Sequence, residues 1–317
     1  MLVDPVSKII IPFFALIFFG FAAARRGWVP PAAVPAFNGF LLYFAVPALL
    51  FRFASTAAFA EIMNARFFIA YTLAGLVTLL VVIAVARGVM GARLRDAAFY
   101  GLAASATNIG YLAIPLLVAL LGASAASPAM LATVSEMMIV ASVAVALSQL
   151  DSSQSAGWRK AVRDAIARAV VNPFLISIVV GVAFSALRWK LPTPIDETMN
   201  LLANAAGPCA LFAIGVSLYR PGATQGVALI ALPVAGKLLL HPLVVWLALL
   251  AFGVDRFTIT AGVLTAALPT AGWVFIFAQR YDADVARIST ALVASTALAA
   301  ITFSVLVWYL GLGIATK

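Results

Sequence analysis

The first half of this 317-residue chain returns about 161 residues later. Pro12-Phe13 recurs as Pro173-Phe174, and Gly20 recurs as Gly181. Ala45-Val46-Pro47-Ala48-Leu49-Leu50-Phe51 recurs as Ala206-Gly207-Pro208-Cys209-Ala210-Leu211-Phe212. Thr107-Asn108-Ile109-Gly110-Tyr111 has a looser echo in Pro269-Thr270-Ala271-Gly272-Trp273, shifted by one further residue. Single coincidences of Pro or Gly are common in apolar helices, but four in one register constrain the fold. With an odd number of membrane crossings in each copy, the second copy lies inverted relative to the first. Inverted repeats with helix breakers at matched places are the sequence sign of an alternating-access transporter.

Composition says which solvent the repeats face. Hydrophobic residues are 65% of the chain and charged residues 10%, where a soluble domain carries about 25% charged. Mean hydropathy is +1.12. The chain is therefore expected to be an all-α integral membrane protein with the lipid bilayer as its surroundings. A β-barrel is disfavoured, because the apolar runs are long and Leu/Ala/Val-rich instead of alternating. At about 20 residues per crossing, ten transmembrane helices are expected: 6–24, 33–51, 67–87, 97–121, 127–149, 170–187, 196–218, 227–252, 257–280 and 285–313. They divide into a first five-helix repeat at 1–150 and a second, inverted one at 170–317. The joining segment 151–169 holds Trp158, Arg159, Lys160, Arg163 and Arg168, and 158–169 reads as a short amphipathic surface helix. Lys8 and Ala22-Ala23-Ala24 imitate a secretory signal. Its removal would delete one member of the first repeat, so the segment is expected to stay.

Positive charge sets the orientation. The side holding the joining segment collects twelve Lys and Arg, the other side seven, and Lys237 lies inside a span. The central loop is thus expected in the cytoplasm and both termini outside. The net charge of +9 largely reflects this bias, and no basic domain stands apart to bind nucleic acid. The lone cysteine, Cys209, excludes an internal disulfide. One histidine and one mid-membrane glutamate give too few ligands for a metal centre, so no metal, no cofactor and no enzymatic chemistry are expected. No phosphate-binding Gly-rich loop is present to support ATP drive.

The fourth span reads TNIGYLAIPLL, with Asn108, Gly110 and Pro115 at mid-depth, and the ninth reads TAALPTAGWVF, with Pro269, Thr270 and Gly272. Proline removes a backbone donor and clashes with the carbonyl four residues back. In lipid, such a break survives only inside protein or beside a water-filled cavity. Two broken helices at matching places point to a midplane site between them, where half-helix N-termini suit a carboxylate. Pro12, Pro173 and Pro233 read as simple kinks. Pro47 and Pro208 stand between these cases.

Ionisable groups at bilayer depth are costly and normally face a cavity or a partner. Glu136 lies mid-span, and Lys237 and His241 lie one helical turn apart in VAGKLLLHPLVVW. Three readings stay open. Glu136 carries a coupling proton, or Lys237 neutralises an anionic substrate, or the two form a structural pair. His241 reads either as a packed, hydrogen-bonded histidine or as a proton sensor. Ser135, Gln149 and Asn204 read as helix–helix contacts. Ser289, Thr290, Ser295 and Thr296 read as groups that satisfy backbone or neighbouring helices. Arg280, Tyr281, Asp282 and Asp284 read as a solvated turn.

Four segments carry a family resemblance: YFAVPALLF in span two, NIGYLAIP in span four, VVNPFLISIVVG opening span six and LPTAGWVFIFAQRY in span nine. In this order and spacing the chain resembles the auxin efflux carrier family, which includes plant carriers and bacterial malate or malonate permease-like proteins. The resemblance covers essentially the whole chain. It implies a five-plus-five inverted repeat, a panel-like scaffold domain, and a transport domain whose helices four and nine cross at their prolines. It further implies a secondary carrier of a small organic anion. The substrate would lie at the crossover, with Asn108, Gly110, Tyr111, Pro115, Pro269, Thr270, Gly272, Pro47 and Pro208 around it. Glu136, Lys237 and His241 would supply coupling or charge compensation. The short joining segment departs from the long hydrophilic loop of many plant members and favours a bacterial-type carrier in the inner membrane. Coupling to H+ or to Na+ and a homodimeric state are left open. The alternatives are a carrier like the bile-acid sodium symporters, or a channel or sensor on the same fold.

Overall fold

The structure, a computed structural model, describes residues 4–56, 64–150, 173–219 and 230–310. The joining segment 151–169 lies outside the described residues. Helix α1 is Asp4–Arg25, with Pro12 inside it. Helix α2 (Val34–Phe40) runs through a π-turn, Leu41–Ala45, into α3 (Val46–Thr56). Helix α4 (Ala65–Met90) starts at Asn64, whose side chain accepts from Phe67 N, and stops at Gly91 with φ +60°. Helix α5 (Leu94–Ser105) ends in an interruption. A π-turn at Ile109–Ala113 then leads into α6 (Ile114–Leu121). Helix α7 (Ala126–Ser135) passes through the π-turn Glu136–Val140 into α8 (Ala141–Gln149).

The second half opens with α9 (Pro173–Leu187) and α10 (Thr193–Leu218). Helix α11 (Ala231–Ala235) continues through the π-turn Gly236–Leu240 into α12 (His241–Ala251). Helices α13 (Arg256–Ala266), α14 (Gly272–Arg280) and α15 (Val285–Tyr309) complete the chain. Among the described residues the structure is helical, with one isolated β-bridge. Among the described residues, six helical stretches are long and apolar enough to cross a membrane: Pro31–Thr56, Ala65–Met90, Ala123–Gln149, Thr193–Ser217, Ala231–Ala251 and Val285–Tyr309. Ala15–Arg25 and Ile176–Leu187 are shorter apolar helices. The apolar runs expected at 97–121 and 257–280 are each split in two.

Among the described residues, proline explains three of the four π-turns. Pro47, Pro115 and Pro242 each follow a π-turn by two residues. A proline ring collides with the carbonyl four residues back, and a widened turn moves that carbonyl aside. The turn at Glu136–Val140 has no proline behind it in α8. Such turns without an evident backbone cause are frequent at functional sites.

The outward surface suits lipid. Ile69, Leu73, Val77, Leu80 and Val81 on α4 are exposed, as are Leu239, Leu243, Trp246, Leu247 and Leu250 around α12. Their spacing of three to four residues makes one apolar stripe per helix. Water would leave these stripes unpaid for in free energy, whereas hydrocarbon solvates them. Inside, α1 packs along α10, and α9 packs along α3. Small residues let these backbones approach. A Cβ on Gly20 would run into the Phe212 carbonyl, and one on Gly181 would lie 2.7 Å from the Phe51 carbonyl. A second group of helices packs together: α4 on α5 and α12, α5 on α8, and α12 on α13. The groups meet where α10 touches the 109–113 turn and α3 touches α7.

Candidate functional site

The two split helices meet at their gaps. After α5, Ala106 is extended (φ −91°, ψ 128°). Asn108 N donates to Pro269 O at 3.0 Å, and Ala271 N donates to Ala106 O at 3.1 Å. Thr107 and Thr270 face one another as an antiparallel bridge pair. Local sequence favours this geometry. Leu268 precedes a proline and is steered from helix toward extended backbone, and the two β-branched threonines fit extended backbone well. The cross gives both severed chains backbone partners where neither helix can supply them.

Charged groups line one side of the cross. Glu136 is 1% exposed and Lys237 0%, so both are closed off from bulk solvent. The Glu136 carboxylate accepts from Tyr71 OH at 3.0 Å and from Thr107 N at 2.7 Å. Lys237 Nζ donates to Thr107 Oγ1 at 2.6 Å and to Ala266 O at 2.9 Å. Ala266 is the last residue of α13, where unpaired carbonyls attract a cation. The ion pairs among the described residues are Arg52–Asp196, Arg95–Asp282 and Arg287–Asp284. Glu136 and Lys237 are instead joined through Thr107, by its backbone N–H on one side and its hydroxyl on the other.

His241 is buried beside this network. Its Nδ1 lies 3.2 Å from Thr78 Oγ1, which itself donates to Ala74 O at 2.9 Å. With its one hydrogen so used, the threonine can only accept from Nδ1. The proton is thereby assigned to Nδ1, and Nε2 is a buried lone pair without a partner among the described residues. The Tyr71 ring meets the imidazole edge-on at 5.9 Å between centroids. Lys237 and His241, one helical turn apart in the sequence, address different neighbours: Lys237 lies inside the 236–240 π-turn and His241 is the residue after it.

The structure brings Asn108, Pro269, Thr270, Glu136 and Lys237 together around Thr107. The break in span four is displaced from its expected place. The gap is at 106–108, and Pro115 lies in the first turn of α6, after the π-turn has absorbed its clash. Gly110 and Tyr111 lie in that turn, and the Tyr111 side chain is outside the described residues. A Cβ on Gly207 would sit 3.3 Å from Pro115 Cβ, so Pro115 borders α10 next to Pro208. Pro208 itself is exposed and Pro47 half-buried, with α3 packed against the 109–113 turn. Gly272 opens α14, and a Cβ there would meet nothing within 4 Å. Thr107, Tyr71 and Thr78 escaped the sequence reading. Thr107 was in view only as the first residue of the repeated stretch, where an offset of 162 sets it against Pro269; the structure pairs it with Thr270, an offset of 163.

A cavity of about 330 Å³ opens where α4, α7 and α13 begin, lined by Asn64, Ser124, Ser127, Asp255 and Thr258 among others. The 11 residues of α13 span roughly 16 Å from that cavity to the gap.

Residues 5–309 match the family model described as "Membrane transport protein". This chain belongs to that family, the auxin efflux carriers. It is 33% identical to a Rhizobium meliloti protein named "Putative malonate transporter" over 314 residues, 97% of each chain. It is 26% identical to "Uncharacterized transporter YfdV" of Escherichia coli over 86% of this chain and 87% of that one. It is 29% identical to "Auxin efflux carrier component 3a" of Oryza sativa over 43% of this chain and 22% of that one. The chain is accordingly a multi-pass membrane transporter, and its family is one of transporters instead of enzymes.

Proposed function

We propose that the protein is an alternating-access secondary carrier of a small carboxylate, bound beside the crossing of its two broken helices. The observation that carries this reading is the cross itself, with the Lys237 ammonium 2.6 Å from Thr107. The charge favours an anion, and the Asn108 side chain offers an amide next to the gap. Similarity to the named malonate transporter supports a dicarboxylate of that size. The carrier has ten crossings arranged as inverted repeats at 1–150 and 170–317. Two packing contacts support that arrangement. Gly20 abuts Phe212 O and Gly181 abuts Phe51 O, and adding 161 to the first pair's Gly20 and to the second pair's Phe51 gives the other members. Helices α1, α3, α9 and α10 form the stationary scaffold, and the crossed helices move against it.

Uptake of radiolabelled malonate into proteoliposomes tests the reading. Saturable counterflow is expected, inhibited by malonate and malate and spared by their neutral amides. Flux that does not saturate would indicate a channel, and equal inhibition by amides would remove the positive site from selection. Asn108→Ala should weaken uptake at normal membrane abundance. The twelve-to-seven cation bias supports an orientation with both termini outside a bacterial inner membrane. A cysteine at position 155 should then resist an impermeant thiol reagent on intact cells, and ready labelling would reverse the orientation.

A further inference from the structure

We infer that the Lys237 ammonium occupies a monovalent-cation position at the crossing, so that the protein carries its cation covalently and takes no sodium ion there. The groups around Nζ are those a hard cation selects. Thr107 Oγ1 lies at 2.6 Å and Ala266 O at 2.9 Å, and the Glu136 carboxylate holds the Thr107 N–H from the other side. A hydroxyl, a carbonyl at a half-helix C-terminus and a nearby carboxylate make an oxygen-lined cation site. An ammonium seated on those oxygens is the ligand in place.

The second gap supplies an internal control. Ala103 O stands to the first gap as Ala266 O stands to the second, both related by the same offset of 163 as Thr107 and Thr270. Ala103 O accepts from a neutral donor, the Thr270 hydroxyl, at 2.8 Å. The Thr107 hydroxyl is the counterpart of that donor by the same offset, and it shares Lys237 Nζ with Ala266 O, so this gap too holds a neutral group of the same kind. Lys237 is therefore inserted as a cation and is not needed as a donor. Glu136, 1% exposed, gains the compensating charge that burial otherwise denies it. In transport, this fixed charge moves with the crossed helices and replaces a coupling ion.

The test uses the purified full-length protein. Wild-type melting should be the same in sodium chloride and in choline chloride at equal ionic strength. Lys237→Ser should melt lower in choline, and sodium should raise its melting temperature saturably, by about 3 °C or more. Adding Thr107→Val to Lys237→Ser should abolish that response by removing a ligand. A Lys237→Ser protein indifferent to sodium would overturn the inference, as would a saturable sodium response in the wild type. Should Lys237→Ser fail to accumulate, binding of radioactive sodium to the wild type decides. No saturable binding upholds the built-in cation, and saturable binding refutes it. Only the transport consequence rests on the carrier reading. A substrate other than a carboxylate would leave these melting and binding results unchanged, so the two ideas fail separately.

Discussion

The two gaps are built alike and filled differently. Each severed chain needs a donor for a carbonyl near the end of its first half-helix, Ala103 in α5 and Ala266 in α13, and an acceptor for the central threonine N–H. At the 267–271 gap the Thr270 N–H finds the Ser295 hydroxyl at 3.3 Å, while at the 106–108 gap the Thr107 N–H finds a carboxylate at 2.7 Å. Ala103 O takes a hydroxyl, and Ala266 O takes an ammonium. Neutral groups thus suffice for the backbone on one side. The two charges on the other exceed what the backbone requires, at a burial cost of several kcal/mol per ion before pairing. On the carrier reading proposed above, charge retained against that cost serves transport and not the backbone.

The largest expected effect comes from unbalancing the charged side. Lys237→Met breaks the buried pair and leaves Glu136 without its compensating cation, which costs on the order of 3–5 kcal/mol, and the protein should largely fail to accumulate. Glu136→Gln should be milder, since its amide oxygen still accepts from Thr107 N and the Tyr71 hydroxyl can turn to accept from the amide. The double change should restore accumulation without restoring uptake. Membrane abundance and uptake, measured on the same preparations, check both. A double mutant with full transport would show the charges to be a structural pair only. Ser295→Ala on the neutral side should leave uptake within a few-fold of wild type.

The next effect falls on the hydroxyls. Thr270→Val leaves Ala103 O buried without its donor, at a cost of about 1–3 kcal/mol, and should lower the melting temperature with little change in substrate selectivity. Thr107→Val removes the bridge between Lys237 and Glu136 while leaving Ala266 O its ammonium. It should cost less stability and more transport. Thermal melts with uptake kinetics check the pair, and equal changes in both would erase the distinction between the gaps.

Much of this contrast was hidden from the sequence. Long apolar runs give away helices such as α4 and α15, because lipid demands continuous apolar length. Pro47 and Pro115 were visible as helix breakers, but each lies two residues beyond the π-turn it causes. Glu136 was visible as a charge. Its π-turn was not, because nothing like proline marks it. Thr107 works through a backbone N–H and a hydroxyl, neither distinctive in an apolar chain. The expected solvated turn at 280–284 was half right. The Asp282 side chain is 98% exposed, whereas Asp284 caps α15 and accepts from Tyr100 OH at 2.7 Å. Arg287 completes that cluster through Tyr100 OH and Asp284. Contacts spanning more than 180 residues have no local signal to read.

The smallest effect concerns how the helices entering the gaps begin. Helix α13 is capped by Asp255, whose carboxylate accepts from Thr258 N at 3.0 Å. Helix α5 starts at Arg93 with no side-chain cap. Partial burial pushes the Asp255 carboxyl up, but the hydrogen bonds from Thr258 and neighbouring backbone outweigh it and hold the group below its ordinary value. Stability from a lowered carboxyl is fully present above the unfolded value, about 3.9, and is lost as pH falls through the folded one. Asp255→Ala should cost about 1 kcal/mol at neutral pH. Asp255→Asn should keep the cap, as Asn64 does for α4, while dropping its pH dependence. The melting difference between wild type and Asp255→Asn should therefore narrow below about pH 4. A difference constant down to pH 3 would mean that the carboxylate charge adds nothing to this cap, and that the two entering helices differ only in hydrogen bonding.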